Sequence, residues 1–362
     1  NGGIQLDNAG HVTVDGQQMP TAGPLSNRNL IINGAMVHDQ RNNGSAVTLN
    51  SDGFAGRQFP VDRFHVQRSG AVVVSCEQDT ETPAGFKNSI KLTVSTADNS
   101  VAAGDYLFAG YRFEGNDVAH LGFGTSNAVK FTLSFWVRSS LTGTYTVFFG
   151  NYADNRTHRK EYTISAANTW EYKTITLTAD TTGTWNTNNS GGLNIGWTLL
   201  AGSDYVNTAG TWTGTVDTAT SNQTQWGSTG SATFYLTGVQ LELGEKATPF
   251  EHKSYSDELA RCQRYYRQNA RILGIWTNNQ YMRFIHLLSP YMRAAPTVTL
   301  LDTNGYHEKW NSLGFTGISS VGGVYGNNTS QDFVLQSNQT RNATYNDTAM
   351  LGPDVVSFSA EL

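Results

Sequence analysis

The 362-residue chain has few charged residues and no cluster of basic ones. Charged residues make up 15% of the sequence, and its 24 lysines and arginines never form a run. With a formal net charge of −5, the positive footprint of a nucleic-acid-binding protein is missing, and no nucleic-acid partner is expected. No apolar run is long enough to span a bilayer, and no secretory signal opens the chain, so we do not expect membrane insertion.

The motifs of metal and covalent chemistry are also missing. Cys76 and Cys262 fall at apolar positions, which favours two buried small side chains; a disulfide between them has no support in the sequence. The eight histidines have no metal-binding spacing, and no G-x-S-x-G or phosphate loop occurs. We therefore predict no enzyme activity, no metal site and no cofactor. Paired carboxylates for glycoside hydrolysis depend on distance in space. The nominal pairs are Glu77 with Asp79, Asp105 with Glu114, and Asp204 with Asp217.

Glycine, asparagine, threonine and serine supply most of the polar surface. There are 37 glycines, and 38% of the residues are hydrophobic. Threonine and aromatic residues suit strands, whereas asparagine and glycine suit turns, so the composition predicts a mainly β protein. The length allows two or three domains. Because the chain begins at Asn1 rather than methionine, we interpret it as the ordered part of a longer protein.

Residues 1–28 contain too few apolar side chains to form a core of their own. Ile4 and Leu6, then Val12 and Val14, predict two very short strands around a turn at 8–10. Such a pair cannot cover its apolar face alone. The segment is therefore interpreted as a shaft or connector in which three copies wrap around one axis, with a disordered leader as the alternative.

Residues 29–250 show strands at regular spacing with turn signals between them. The clearest is 129–138, where Phe131, Leu133 and Phe135 alternate with polar residues. The last strand, 232–243, slips by one residue at Thr237-Gly238, which indicates a β-bulge. This pattern predicts a β-sandwich. The remaining strands are predicted at 29–34, 64–66, 72–76, 90–94, 144–150, 171–178 and 193–200.

The sandwich is followed by a short helix and a smaller β domain. Ser256 is predicted to cap a helix within the linker 251–268, with Leu259 and Cys262 on its apolar face. Residues 269–362 then predict a C-terminal β domain. Its strands are predicted at 271–276, 280–288, 297–302, 313–319, 332–336 and 354–361.

Four segments in order resemble a carbohydrate-binding module of the galactose-binding-like jelly-roll kind. They are NLIINGAM (29–36), KFTLSFWVRSS (130–140), NTWEYKTITLTAD (168–180) and ATFYLTGVQLE (232–242). The resemblance implies a jelly roll that binds carbohydrate. Many such modules hold a structural calcium through acidic residues near the first and last strands. Here Val37 and Thr237-Gly238 stand at those positions, so the calcium site is not carried over.

A second resemblance covers the junction between the two β domains. GVQLELGEKATPFEHKSYSDELARCQRYY (238–266), followed by MRAAPTVTL (292–300), is similar to the C-terminal parts of tail fibre proteins of tailed bacteriophages. There a jelly roll precedes a small β domain at the fibre tip. The resemblance implies a homotrimer in the virion that joins other tail proteins through its N-terminus and contacts the host surface.

Aromatic side chains beside amides and carboxylates are the mixture that recognises sugars. The long polar excursion 201–231 carries such a mixture, and Trp136 is the one large apolar residue on the polar face of its strand. Trp136 is expected on the concave face or under the long loop; the loop tryptophans either contact sugar or anchor the loop. The carbohydrate-binding candidates are Trp136, Trp185, Tyr205, Trp212, Asp217, Trp226, Tyr306, His307 and Trp310.

Together these observations predict a non-enzymatic tail fibre protein. It would adhere to host cell-surface polysaccharide or lipopolysaccharide, act outside the cell after synthesis in the host cytoplasm, and gain avidity from three copies. Two alternatives stay open. The first is a structural spacer without receptor contact. The second is a polysaccharide depolymerase, against which stands the absence of a repetitive β-helix pattern.

Overall fold

The computed structural model of the chain describes 4–6, 12–14, 17–18, 27–268, 272–277, 281–301, 307–309, 318–326, 330–337, 348–351 and 356–362. The chain divides into two compact units, 1–253 and 254–362. Both are built mainly from antiparallel strands, which confirms the predicted fold class. In the part of the chain that is described, no helix is long and apolar enough to cross a membrane.

The first unit is a sandwich of strands with very little helix. A single turn of helix, α1 (Gly115–Val118), and 3-10 turns at Ala119–Leu121, Ser203–Tyr205 and Trp226–Ser228 interrupt the strands. The strands are β1 (Ile4–Leu6), β2 (Val12–Val14), β3 (Gln17–Gln18), β4 (Val47–Leu49), β5 (Gln58–Val61), β6 (Phe64–Ser69), β7 (Val73–Asp79), β8 (Ser89–Thr96), β9 (Tyr106–Glu114), β10 (Lys130–Ser139), β11 (Gly143–Asn151), β12 (Thr157–Ile164), β13 (Glu171–Thr178), β14 (Gly191–Ala201), β15 (Trp212–Thr213) and β16 (Thr233–Leu243).

Two sheets pack face to face to form the predicted jelly-roll sandwich. One has the order β13-β10-β16-β8-β7-β4, and the other β15-β12-β11-β14-β9-β6-β5. Aromatic rings meet between them: Phe131 lies 5.6 Å from Phe149, and Phe135 lies 5.6 Å from Trp197. Trp197 has no exposed surface and belongs to this core. Alternation along β10 thus directs one row of large side chains into the core.

The predicted bulge in the last strand of the sandwich is confirmed. The register between β10 and β16 shifts between Ser134 and Trp136, so one extra residue of β16 lies opposite β10. Gly238 takes a φ of +61° at this point, a conformation that side chains with a Cβ rarely adopt. The bulge keeps Leu236 and Leu241 on the core side across the slip, and both are fully buried.

The predicted strand at 29–34 is wrong. These residues are irregular, although Leu30 N donates to Leu241 O at 2.9 Å. The side chain of Asn29 replaces a ladder: its Nδ2 donates to Val239 O at 3.2 Å, and its Oδ1 accepts from Leu241 N at 3.1 Å. A buried asparagine can satisfy neighbouring backbone groups without forming a strand, and this is what misled the prediction.

The N-terminal residues contain a small three-stranded sheet, β1-β2-β3. Ile4 pairs with Val14 and Leu6 with Val12, which confirms the two predicted short strands. The turn predicted at 8–10 lies outside the described residues.

The second unit opens with helix α2 (Tyr255–Gln263), and Ser254 rather than Ser256 caps it. Ser254 Oγ accepts a hydrogen bond from Asp257 N at 3.2 Å, so the helix begins earlier than predicted. The unit has a three-stranded sheet, β17-β25-β20, and a six-stranded sheet, β21-β24-β18-β19-β23-β22. Its strands are β17 (Tyr266–Gln268), β18 (Ile272–Trp276), β19 (Tyr281–Leu287), β20 (Thr297–Leu300), β21 (His307–Lys309), β22 (Ile318–Gly326), β23 (Ser330–Ser337), β24 (Thr348–Leu351) and β25 (Val356–Ser359).

Most strands predicted for this unit have a counterpart. The predictions near 272, 281, 297, 332 and 356 overlap β18, β19, β20, β23 and β25. The prediction at 313–319 overlaps β22 only at its end, and 313–317 lie outside the described residues. The chain's last strand, β25, is paired on both sides, with β17 and β20.

Candidate functional site

A cleft of about 180 Å³ opens on the outer face of the seven-stranded sheet. Its floor follows one cross-strand row, in which Phe148 pairs with Gly196, Gly196 with Gly110, and Gly110 with His65. Directly opposed residues point to the same face of a sheet, so two adjacent glycines leave a depression between two ring-bearing residues.

The two floor glycines are required by their neighbours. A Cβ on Gly110 would lie 2.7 Å from His65 Nε2, and a Cβ on Gly196 would overlap the ring of Phe148. The rings of His65 and Phe148 therefore lie across the glycines. Larger residues at either position would fill the cleft or displace these rings.

Aromatic side chains form one wall of the cleft. The rings of Tyr106 and Phe108 stack at 5.7 Å, and Phe108 meets Phe148 edge to face at 5.1 Å. Tyr205, from the long loop, packs edge to face on Tyr106 at 5.1 Å. Tyr205 is thus the sequence-predicted residue that the structure places in the cleft.

Four residues that line the cleft carry a buried polar atom without a partner. His65 Nε2, Gln67 Oε1, Asn194 Oδ1 and Thr218 Oγ1 are buried and make no hydrogen bond within the described residues. Gln67 Nε2 already donates to Tyr106 Oη at 2.9 Å, and Asn194 Nδ2 donates to Asn151 O at 3.2 Å. These bonds fix the orientation of both amides. Buried polar atoms in folded proteins nearly always have partners, so four such atoms among the residues of one concave site make this cleft the candidate ligand-binding site.

One cation and one anion line the cleft. Arg112 is half-buried, and burial lowers the pKa of its guanidinium, against the opposing effect of the Asp154 charge. Burial raises the pKa of the Asp154 carboxyl, although Arg112 acts in the other direction. Burial, together with the positive charges of Arg112 and Arg57, holds the pKa of His65 well below its usual value, so His65 is neutral.

The long loop after β14 crosses the outer face and borders the cleft with Val216 and Thr218. An ion pair fastens it: Arg159 Nη1, fully buried on β12, lies 3.2 Å from Asp217 Oδ2. Asp217 also accepts from Asn207 Nδ2 at 2.9 Å. Asp217 is therefore a tether of the loop, and its predicted sugar contact is corrected, because the residue is buried and its Oδ2 is taken by these internal bonds.

Trp226 is the second correction. It has no exposed surface, and its Nε1 donates to Thr233 O at 3.2 Å. The ring packs against Phe234 in the sandwich. Trp226 therefore anchors the loop, which is the alternative that the sequence left open.

Trp185 and Trp212 lie together, but not in the cleft. Their rings meet edge to face at 5.5 Å, and Trp185 stacks on Phe123 at 4.1 Å. Both indole N–H groups bond to backbone oxygens, Trp185 to Thr182 and Trp212 to Thr178. Both rings are half-buried, so part of each surface remains open.

Trp136 lies on the other sheet. It is half-buried on β10, where its ring is 5.3 Å from that of Tyr172 on the neighbouring strand. It does not line the cleft. Tyr306 and Trp310 lie outside the described residues, and His307 is described only as the first backbone position of β21.

Sequence reasoning missed most of the cleft. β9 supplies Tyr106, Phe108 and Arg112, yet its sequence YLFAGYRFE shows no clean alternation of apolar and polar residues. Both of its faces carry large side chains, one against the core and one in the cleft. The available signal was an aromatic-rich run of strand length interrupted by glycine.

In the described segments, no three His, Cys, Asp or Glu side chains are placed to share a metal ion. Thr237 and Gly238, which stand at positions considered for a calcium site, have other roles here. Thr237 Oγ1 donates to Asn88 O at 2.7 Å, and Gly238 forms the bulge.

No family model and no curated protein sequence matches the chain. Among solved structures, the enzymatically active domain of tailspike protein 4 from bacteriophage CBA120 shares 12% identity over 60% of this chain and 21% of that chain, with a TM-score of 0.31. The family 11 carbohydrate-binding module of a Clostridium thermocellum cellulase shares 11% identity over 55% of this chain and 100% of that chain, with a TM-score of 0.28.

A two-module fragment of Clostridium thermocellum xylanase 10B, with a family 22 module, shares 12% identity over 54% of this chain and 29% of that chain, with a TM-score of 0.28. The chain thus spans about a fifth of the tailspike domain. Identities and TM-scores at this level transfer no function to the chain.

Proposed function

We propose that the chain is a phage tail fibre protein that holds a host cell-surface glycan in the cleft of its seven-stranded sheet. The observation that carries glycan binding is the cleft itself, where aromatic rings lie beside four buried polar atoms without partners. Sugars present apolar C–H faces and hydroxyl groups on one ring. This cleft offers a surface for each.

The mechanism is binding without chemistry. The rings of Tyr106 and Tyr205 would take the C–H face of a sugar, while a hydroxyl would donate to the exposed carboxylate of Asp154. The cleft volume equals that of about six water molecules, so contact with one glycan chain is small. In a homotrimeric fibre, three such sites would raise the apparent affinity by roughly 10²–10⁴.

The place in a virion is supported by the resemblance of the junction 238–266 to tail fibre proteins. The proposal includes a homotrimer, attachment to other tail proteins through the N-terminus, and host polysaccharide or lipopolysaccharide as the ligand. The protein would be made in the host cytoplasm and act outside the cell as part of the virion.

A structural spacer is the second candidate. It is favoured by the way in which Asp217 and Trp226 fasten the long loop to the sandwich. A spacer would bind no polysaccharide. The unpartnered polar atoms of the cleft have no role in that alternative.

Hydrolysis is less well supported than binding. Asp154 is the only carboxylate among the described residues that line the cleft, whereas glycoside hydrolysis uses two. Of the nominal pairs, Glu77 and Asp79 both bind Lys91, at 3.0 and 3.1 Å. Release of reducing ends from host polysaccharide would overturn the non-enzymatic proposal.

The test is binding of the full chain to host cells and to an array of bacterial polysaccharides. Val216 is 41% exposed at the rim, so Val216→Trp places an indole over the cleft without emptying the core. We expect Val216→Trp and Tyr205→Ala to weaken binding at least about tenfold, a change of about 1.4 kcal/mol.

Trp136→Ala and Trp185→Ala are the matched controls, since they remove half-buried rings outside the cleft. If these two lose binding while the cleft variants keep it, the site lies elsewhere on the sandwich. If no variant and no parent chain binds any polysaccharide, the spacer replaces the proposal.

A further inference from the structure

The cleft holds an arginine that forms no direct ion pair with any of the described residues. Arg112 pairs with Asn194 across β9 and β14, and Asn194 pairs with Gly150, so the three lie in one row on the cleft face. Within the described residues, the guanidinium makes neither an ion pair nor a hydrogen bond. Its contacts are with rings: it lies 4.6 Å from the centre of Phe54 and 5.7 Å from that of Tyr152.

Aromatic contacts hold the guanidinium at the edge of the cleft. Arg57 lies over the same Phe54 ring at 3.8 Å, so this ring contacts two cations. Phe54 is 46% exposed and Tyr152 42% exposed. An arginine supported by rings keeps its N–H groups available, because cation–π contacts use the face of the guanidinium rather than its donors.

Further positive charges lie close to the cleft. Arg57, Arg63 and Arg112 all act on His65, which shows that three positive charges lie near it. Asp154 is the opposing charge, and it lies too far from Arg112 to form an ion pair. Its Oδ1 is 3.5 Å from Asn194 Nδ2, where it remains an acceptor for a sugar hydroxyl.

We propose that the cleft selects an acidic saccharide, whose sugar carboxylate is bound by Arg112. This rests on the proposed glycan binding and names its substrate class. A guanidinium binds a carboxylate through two parallel N–H···O bonds, and the partial desolvation of Arg112 strengthens such a pair. The exposed carboxylate of Asp154 would accept from a hydroxyl of the same or the adjoining sugar. Phosphate is the other anion that a guanidinium binds in this way, and the test separates the two.

The experiment uses the full chain and an array of bacterial capsular and lipopolysaccharide chains. Each polysaccharide is presented in native form, after chemical reduction of its carboxylates to alcohols, and after removal of phosphate. We expect carboxylate reduction to lower binding about 10- to 100-fold, the range for a charged hydrogen-bonded pair. Phosphate removal should leave binding unchanged.

Variants assign the effect to one residue. Arg112→Gln should bind native acidic chains about 10- to 100-fold less tightly than the parent, and should bind native and reduced forms equally. Arg112→Lys should still bind the native acidic form more tightly than the reduced form. Arg138→Gln is the matched control. Arg138 is also half-buried and lies 5.0 Å over an aromatic ring, Tyr235, but on the other sheet. Melting temperatures verify that each variant is folded.

The possible outcomes separate the acidic-sugar inference from the proposed glycan binding. Equal binding of the parent chain to native and reduced forms overturns the acidic-sugar inference and leaves glycan binding intact. Loss on phosphate removal identifies phosphate as the anion and overturns the carboxylate. An Arg112→Gln variant that keeps the acid preference moves recognition away from Arg112. No binding to any polysaccharide overturns the proposed function together with this inference.

Discussion

At the scale of single residues, His158 is a buried group that resists protonation. It is 5% exposed, and its ring lies 5.2 Å from Trp212. Burial, with the charge of Arg159 beside it, lowers the pKa of His158 to about 4. The imidazole is therefore neutral in the folded chain through the physiological pH range.

This makes stability depend on pH. Between about pH 6.5 and pH 4 an unfolded His158 binds a proton and a folded one does not, so stability falls as the pH falls through this window. The loss attributable to His158 is at most about 3 kcal/mol and levels off below pH 4. Urea unfolding of the parent chain and of His158→Gln at several pH values measures this loss of stability.

The free energy of unfolding of His158→Gln should fall less steeply than that of the parent chain between about pH 6.5 and pH 4. His65 titrates in the same direction and remains in both proteins, so the difference between the two curves isolates His158. Parallel curves for parent and variant would show that His158 is already protonated or solvated in the fold.

At the scale of elements, the long loop depends on one buried ion pair. Asp217→Asn leaves the fully buried Arg159 charge without its carboxylate, which typically costs about 3–5 kcal/mol. We expect this loss in chemical unfolding, together with faster hydrogen exchange in the loop residues around Asp217. Asp204→Asn, on the exposed part of the same loop, is the control and should change neither the free energy of unfolding nor the hydrogen exchange of the loop. Unchanged exchange in Asp217→Asn would mean that other contacts hold the loop, among them Trp226 and the bonds of Gln223 and Gln225 to β14.

The end of the sandwich is fastened by a second buried carboxylate. Glu242 Oε1 accepts from Thr248 N at 2.8 Å, and its Oε2 accepts from Thr248 Oγ1 at 2.7 Å. Glu242 is 1% exposed, so Thr248→Val should cost about 1–3 kcal/mol by leaving Oε2 without this donor. Thermal unfolding measures the change. Glu245→Gln, in an exposed pair with Lys130, is the matched control and should leave stability nearly unchanged. A Thr248→Val chain as stable as its parent would show that water replaces the hydroxyl.

At the scale of the whole molecule, the proposal depends on three copies acting together. We predict that the chain sediments as a trimer and that Leu6→Asp with Val12→Asp weakens the assembly, because charges would enter the apolar pairing of β1 and β2. Sedimentation equilibrium measures the mass directly. The variant should also bind host cells less tightly, since avidity depends on simultaneous contacts. A parent chain that remains monomeric at every concentration contradicts the fibre proposal.

Much of the fold could be predicted because its signals are local. Alternation along β10 identified a half-buried strand, and the slip at Thr237-Gly238 identified the bulge, since both are properties of adjacent residues. β9 was missed because both of its faces are covered by large side chains, which removes the alternation. The segment at 29–34 was predicted as a strand, but it is irregular. The side chain of Asn29 makes the bonds to the backbone of the last strand, and the sequence does not show this.

The site was less predictable, since a tryptophan in a polar loop looks the same in sequence whether it anchors or binds. Only packing distinguished the buried Trp226 from the half-buried Trp212. By itself the sequence determined a mainly β chain with a β-sandwich and a second β unit, because periodicity and turn residues act over a few positions. The tertiary structure decided where a cleft forms, because His65, Arg112 and Asn194 come from separate strands and meet only through sheet pairing.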